Sequence, residues 1–186
     1  MSGPVSSSDS ACYGGPRKLV TDVAMTTSPW ALSFRASPSG AAIADRHYNR
    51  QRVGAAQFVP PGRCLVLEAP DCLWVTSWPL ADYVQHAWAG AWVNSTFRRE
   101  GGPLASDLIR AAVAATRWRW PDVPELGMVT FIDAAKVRST NPGFCYLAAG
   151  FRPAGRTKGG LVAVQMLPED MPDPMAPAGA QEALAL

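Results

Sequence analysis

The stretch that decides the fold is Ala91–Trp118, AWVNSTFRREGGPLASDLIRAAVAATRW. Ala91–Phe97 is strand-like. Leu104–Trp118 repeats its apolar residues at helical spacing, with Leu104, Leu108, Ala112, Val113 and Ala115 mostly on one side, and predicts a long helix. Between them, Arg98-Arg99-Glu100-Gly101-Gly102-Pro103 is a tight strand-to-helix turn. Glycines there let a backbone approach a ligand closely. The free amides of a helix start favour anions, above all phosphate, and the two arginines can add charge-assisted contacts. A plain structural turn is the alternative reading of the same residues.

Working outward, Met128–Ile132 reads as a buried strand, Gly143–Ala149 as a short helix closed by Gly150, and Gly160–Met166 as a final strand. Upstream, Trp30–Arg35 is a strand candidate, and Ser37-Pro38-Ser39-Gly40 opens a helical segment over Ala41–Arg50. Arg63–Leu67 and Leu73–Thr76 flank Pro70-Asp71 and predict a β-hairpin. Leu80–Trp88 reads as a helical turn or loop. Strands alternating with helices in the second half favour an α/β sandwich. Residues 1–29, rich in Ser, Thr, Gly and Pro, are expected to be a disordered extension. Residues 169–186 are expected to be a flexible tail with a short terminal helix at Gln181–Leu186. The domain proper spans 30–168.

With 186 residues, 48% of them hydrophobic and 17% charged, the chain is long enough for one domain with a sizeable core. A net charge of +2 does not by itself demand a polyelectrolyte partner. Of the 17 basic residues only Lys18, Lys136 and Lys158 are lysines. Arginine's planar fork suits phosphate, although a GC-rich genome gives the same bias. No run reaches the roughly 18 apolar residues of a membrane helix, and no basic region followed by an apolar run suggests a signal peptide. Cys12, Cys64, Cys72 and Cys145 match neither CxxC nor a disulfide framework, so a reduced, cytoplasmic protein is expected. Cys64 and Cys72 could face each other across the hairpin or simply be buried thiols.

The block Asn141-Pro142-Gly143-Phe144-Cys145-Tyr146-Leu147-Ala148-Ala149-Gly150-Phe151 places a tyrosine on a short helix one turn before Gly-Phe. This resembles the Gcn5-related N-acetyltransferase superfamily, whose late helix often reads LY-x-x-x-GF. Its pyrophosphate loop, Q/R-x-x-G-x-G/A, is matched in its first half by Arg98-x-x-Gly101 and by Arg99-x-x-Gly102. Pro103 or Leu104 stands in place of the small last residue. The resemblance spans Leu32–Leu167 in element order. It implies a mixed, partly split β-sheet flanked by helices, with acetyl-CoA or a related acyl-CoA entering between Ala91–Phe97 and Met128–Ile132. The cofactor-binding residues it implies are Arg98, Arg99, Glu100, Gly101, Gly102, Leu104, Ala105 and Asn141, and Tyr146 becomes the acid that protonates the leaving thiolate.

Asp45-Arg46-His47-Tyr48-Asn49-Arg50, expected on the first helix, and Thr130-Phe131-Ile132-Asp133 narrow the resemblance. Together with Tyr146 they are similar to the Mom-type DNA-modification proteins of bacteriophages. Thr157-Lys158-Gly159-Gly160-Leu161 resembles a run of phage-encoded relatives, while Asn49 replaces a small serine-type residue. The resemblance implies an acyl-CoA-dependent enzyme acting on a nucleobase amine of DNA and protecting it from restriction, with His47, Tyr48, Asp133 and Tyr146 as catalytic residues. Asp133 could act as a base or position the amine, and His47 could take up a proton near neutral pH. A single His-Tyr pair is not a metal site, so no metal is expected. Trp78 and Trp88 are candidates for a substrate wall. Trp118 and Trp120, beside Arg117 and Arg119, could stack bases. Trp74 and Trp92 are expected in the core. The rival readings are an ordinary N-acetyltransferase acting on a small-molecule or protein amine, and a non-catalytic nucleic-acid-binding module.

Overall fold

The computed structural model describes residues 27–80, 84 and 86–180. It is a mixed α/β protein built on one seven-stranded sheet of order β1-β2-β3-β4-β5-β7-β6. The strands are β1 (Ala31–Ser33), β2 (Arg63–Ala69), β3 (Cys72–Trp78), β4 (Trp92–Arg99), β5 (Met128–Ile132), β6 (Arg152–Arg156) and β7 (Val162–Met166). Every neighbouring pair is antiparallel except β4 and β5. Helix α1 (Pro38–Asp45) lies on one face of the sheet, and α2 (Ala105–Arg119) and α3 (Phe144–Ala148) lie on the other.

Strand alternation divides the core between the two faces. Leu65, Leu67, Trp74, Met128 and Val164 pack with Leu108, Ile109, Ala112 and Val113 of α2. Val66, Leu73 and Val75 point the other way, onto Ile43 and Ala44 of α1 and onto Phe58 and Val59. A smaller group, Trp88, Ala91, Val129 and Ala163, covers that second face farther along. Helix α1 starts where Ser37 accepts the Gly40 amide at 3.3 Å and Pro38 opens the first turn. Gly40 lets α1 come close: a Cβ there would lie 2.7 Å from Phe58 and from Glu68.

The hairpin, the long helix and the buried strands stand where the sequence predicts them, with shifted ends. Asp71 takes the positive φ of 56° that the hairpin turn requires. Several expectations are corrected. The first strand shrinks to Ala31–Ser33, and α1 ends at Asp45, so His47 and Tyr48 lie on the loop beyond it. The Asp45 carboxylate, by holding Arg50 at 2.7 Å and the Gly54 amide at 2.9 Å, folds the chain back there. Leu104 precedes α2 and is 68% exposed instead of joining its buried face. Strand β6 has no alternating pattern in its sequence, Arg152-Pro153-Ala154-Gly155-Arg156. Cys64 pairs with Ser77 and Cys72 with Ala69, so these thiols sit at opposite ends of the hairpin and are free.

The segment expected to be a loose tail is packed as far as Ala180. Pro168–Asp170 is a 3-10 turn, and Met171 is buried. Arg117 donates to the carbonyls of Met171 and Pro172 at 3.2 and 2.6 Å. The Met175 amide reaches Ala114 O at 3.1 Å, and the Ala178 amide reaches Trp30 O at 2.7 Å. Trp30, fully buried, in turn donates its indole N–H to Leu108 O at 2.8 Å. The remainder of the expected N-terminal extension before Thr27, the terminal helix at 181–186, and residues 81–83 and 85 of the 80–88 turn lie outside the described residues. Among the described residues no helix is long and apolar enough to cross a membrane.

Candidate active site

The parallel pair β4–β5 stays in register only over Trp92–Asn94 and Met128–Thr130. Beyond that point β4 continues to Arg99 paired with β3 alone, and β5 continues to Ile132 paired with β7 alone. The sheet therefore forks. At the fork, Val75 pairs with Thr96 and Thr76 with Asn94, which leaves Ser95 as a bulge. Asn94 stitches the bulge: its amide nitrogen donates to Val75 O and Thr96 O, both at 3.0 Å. Its side-chain oxygen accepts the Tyr146 hydroxyl at 2.6 Å. Thr130 across the fork donates to Asn94 O at 3.1 Å.

A cavity of about 650 Å³ fills the fork. Asn94–Arg99 of β4 and Thr130–Ile132 of β5 wall it, with Tyr146 and Cys145 of α3 and Ala105 of α2. Its charged lining is Arg46, Arg98, Arg99, Lys136 and Arg138, and no carboxylate among the described residues joins them. Tyr146 is 8% exposed, and burial above all drives its pKa well above the ordinary phenol value. It is thus a protonated hydroxyl at neutral pH. Burial likewise pushes the Cys145 thiol up.

The predicted residues are only partly brought together. Arg98, Arg99 and Ala105 line the cavity. Arg99 turns back onto its own loop, donating to Pro103 O at 2.5 Å and Gly102 O at 2.8 Å. Glu100 clamps Arg46 at 2.5–2.7 Å and Arg98 at 2.6 Å, and these two guanidiniums hold its carboxyl down at about 2. Gly101 packs over Asp71, and its carbonyl accepts the Cys72 thiol. Glu100, Gly101, Gly102, Leu104 and Asn141 are not in the cavity wall. The loop after β5 supplies Lys136 and Arg138 where Asn141 was expected.

His47 and Tyr48 stack with ring centroids 4.4 Å apart. The expected proton uptake by His47 near neutral pH is corrected: burial, helped by the Arg98 charge, lowers its pKa to about 4. Its Nδ1 accepts the Asn49 amide at 3.2 Å, and the backbone of Phe97 engages the ring as well. His47 therefore pins the loop to β4. Asp133 lies in an adjoining cavity of about 220 Å³ with Tyr48, Phe131 and Leu161. Its carboxylate faces Lys136 at 3.4 Å and accepts the Ala135 amide at 3.2 Å. A third cavity, of about 620 Å³, opens under the loop that follows α1. Asn49 and Ser95 border all three.

The tryptophans do not form a substrate wall. Trp88 is buried against Phe131 and His86. Trp78 packs with Trp92 and Trp120 beneath Arg63, 4.5 Å from the Trp78 ring centre. Trp120 is buried and Arg117 is engaged by the C-terminal segment, so neither offers a face for stacking bases, whereas Trp118 is half-buried and Arg119 exposed. Trp74 and Trp92 are fully buried, as expected of core residues. Asn94, the residue on which the fork turns, went unread. The available signal was an asparagine in the middle of AWVNSTF, since this residue is depleted in strands.

No protein-family model, curated protein or solved structure matches the chain.

Proposed function

We propose that the protein is an acyl-CoA-dependent transferase with the forked sheet of the Gcn5-related N-acetyltransferases. The observation that carries this reading is the forked parallel pair with a cavity whose charged wall is wholly cationic. Such a wall suits a ligand with several phosphates. Past Asn94, the edge of β4 turned away from β3 has no strand partner among the described residues, so its backbone groups are available to an extended, amide-bearing arm. Both features fit coenzyme A. Arg98, Lys136 and Arg138 would hold the phosphates, and the free edge of β4 would hold the arm.

A bound acyl thioester would supply an activated carbonyl carbon for the acceptor nitrogen to bond, the carbon–sulfur bond breaking and that nitrogen's proton leaving to solvent. Tyr146 would have to release its hydroxyl from Asn94 Oδ1 to give the phenolic proton to the departing sulfur, and would regain one from solvent. Asn94 aims the hydroxyl. Ser95, thrust out by the bulge, sits where the three cavities meet. Tyr48 and Asp133 hold the acceptor end. The acceptor we propose is a nucleobase amine in DNA.

Calorimetric titration with acetyl-CoA tests the cofactor. Binding is expected, weakened by about 1–3 kcal/mol in Arg98→Ala or Arg138→Ala. No binding by the unaltered chain would sink the transferase reading. Mass analysis of nucleosides from DNA of expressing cells tests the acceptor, and unmodified DNA would remove the nucleobase while leaving transfer to another amine.

A further inference from the structure

Strands β5, β7 and β6 carry opposite charge at their two ends. Met128 pairs with Met166, so the segments before β5 and after β7 lie side by side. They carry Asp122, Glu125, Glu169, Asp170 and Asp173, of which only Asp170 has an ion-pair partner among the described residues, Arg152 at 2.7 Å. At the other end Ile132 pairs with Val162 and Val162 with Arg156. The loop after β5 and the β6–β7 turn are therefore two strands, about 10 Å, apart. They carry Lys136, Arg138, Arg156 and Lys158 against the one carboxylate of Asp133, which faces Lys136. Lys136 and Arg138 belong to the fork. Arg156 and Lys158 are exposed and line none of the three cavities, so a ligand in the fork leaves them free.

The turn is fixed at its base and open at its tip. The Thr157 amide donates to Leu161 O at 2.9 Å, the Thr157 carbonyl accepts the Gly160 amide at 2.9 Å, and the Thr157 hydroxyl accepts the Leu161 amide at 3.1 Å. Arg156 spends one N–H on Gly160 O at 2.9 Å and keeps the rest of its fork free. The Lys158 ammonium has no partner among the described residues. A Cβ at Gly160 would meet nothing within 4 Å, so a ligand can approach the backbone there. Opposite charge at the two ends of the strands steers a polyanion toward the fork end. No large exposed apolar side chain stands on the loop or the turn, as insertion into a lipid surface would need. Leu161 shares the small cavity with Tyr48 and Asp133, so a phosphate chain lying on the turn brings its own bases beside the acceptor end. We propose that the β6–β7 turn is a contact surface for the backbone of DNA, with Arg156 and Lys158 each taking one phosphate. The choice of DNA as the polyanion rests on the acceptor reading above.

The test is fluorescence anisotropy of a labelled, mixed-sequence DNA duplex titrated with the full chain over a range of salt concentrations, without cofactor. Lys158→Gln is expected to weaken binding about threefold to tenfold near physiological salt and to flatten the slope of log affinity against log salt by about 0.9. Adding Arg156→Gln should flatten it about as much again. Arg119→Gln removes a cation exposed at the far end of α2 and should leave both quantities unchanged. Circular dichroism checks that each variant folds. No binding by the unaltered chain overturns the proposal, as does an Arg119→Gln effect equal to that of Lys158→Gln. So does binding of polyglutamate or of phosphatidylserine vesicles as tight as that of the duplex. Modified nucleosides in expressing cells, with unchanged duplex binding by the folded turn variants, remove this surface and leave the acceptor reading. Weakened duplex binding in those variants beside unmodified nucleosides removes the acceptor reading and leaves the surface.

Discussion

Tyr146 and His47 are both buried polar side chains at the fork, but burial sets them to different tasks. In Tyr146 it favours the neutral phenol and preserves a proton to give. Tyr146→Phe should slow thiol release by about 10²–10⁴-fold while leaving acetyl-CoA affinity nearly unchanged. It should also cost about 1–3 kcal/mol of stability, because Asn94 Oδ1 loses its partner in a buried place. Steady-state turnover beside calorimetry and thermal melting separates these effects, and unchanged turnover would make Tyr146 structural. In His47 burial favours the neutral ring, so between its ordinary pKa of 6.5 and its folded value of about 4 the unfolded chain binds a proton that the folded chain does not. Stability is full above pH 6.5 and falls as the pH drops toward 4. Melting temperatures across that window should fall less in His47→Gln than in the unaltered chain. A residual fall is expected from His86, whose pKa burial also lowers.

At the scale of elements, the loop after α1 and the bulge in β4 shape the site more than any helix does. Besides His47, the loop is anchored by the Asp45–Arg50 pair, and Arg50 also serves two loop carbonyls. Arg50→Met should leave those two loop carbonyls and Asp45 without their donor and loosen the loop. The lesion should be local: limited proteolysis is expected to cut within residues 50–57, while denaturant unfolding of the remainder stays cooperative. Resistance equal to that of the unaltered chain would show that the apolar contacts of Phe58 and Val59 alone hold the loop.

For the molecule as a whole, the stability of α2 depends on chain ends. Trp30 caps one end of its buried face through Leu108, and residues 171–178 cross it through Arg117 and Ala114 before meeting Trp30 again. Arg117→Ala should therefore lower stability by about 1–3 kcal/mol, although the residue touches none of the fork's cavities. Thermal unfolding measures the loss. No change would mean that the buried Met171, not the arginine, fastens the segment.

What the sequence determined by itself is local. The apolar period of Ala105–Arg119, the Pro70-Asp71 turn between two apolar runs, and the short runs of β5 and β7 were readable because each follows from residues within a few positions of one another. Tyr146 was readable for the same reason, as a tyrosine just before Gly150-Phe151. Strand β6 was not. Arg152-Pro153-Ala154-Gly155-Arg156 has no alternation, and it is a strand only because β7 supplies hydrogen-bond partners at a sheet edge that tolerates proline. The tertiary structure alone decided that Glu100 joins Arg46 to Arg98, that Lys136 and Arg138 face the cavity while Asn141 does not, and that the chain past Pro168 packs on α2. It also decided that β4 and β5 part after Asn94. The reason is that partners such as Arg46 and Glu100, or Asn94 and Tyr146, are joined by backbone topology across long stretches of sequence. Periodicity within a segment places a side chain on a face, but only the pairing of distant segments sets what that face meets.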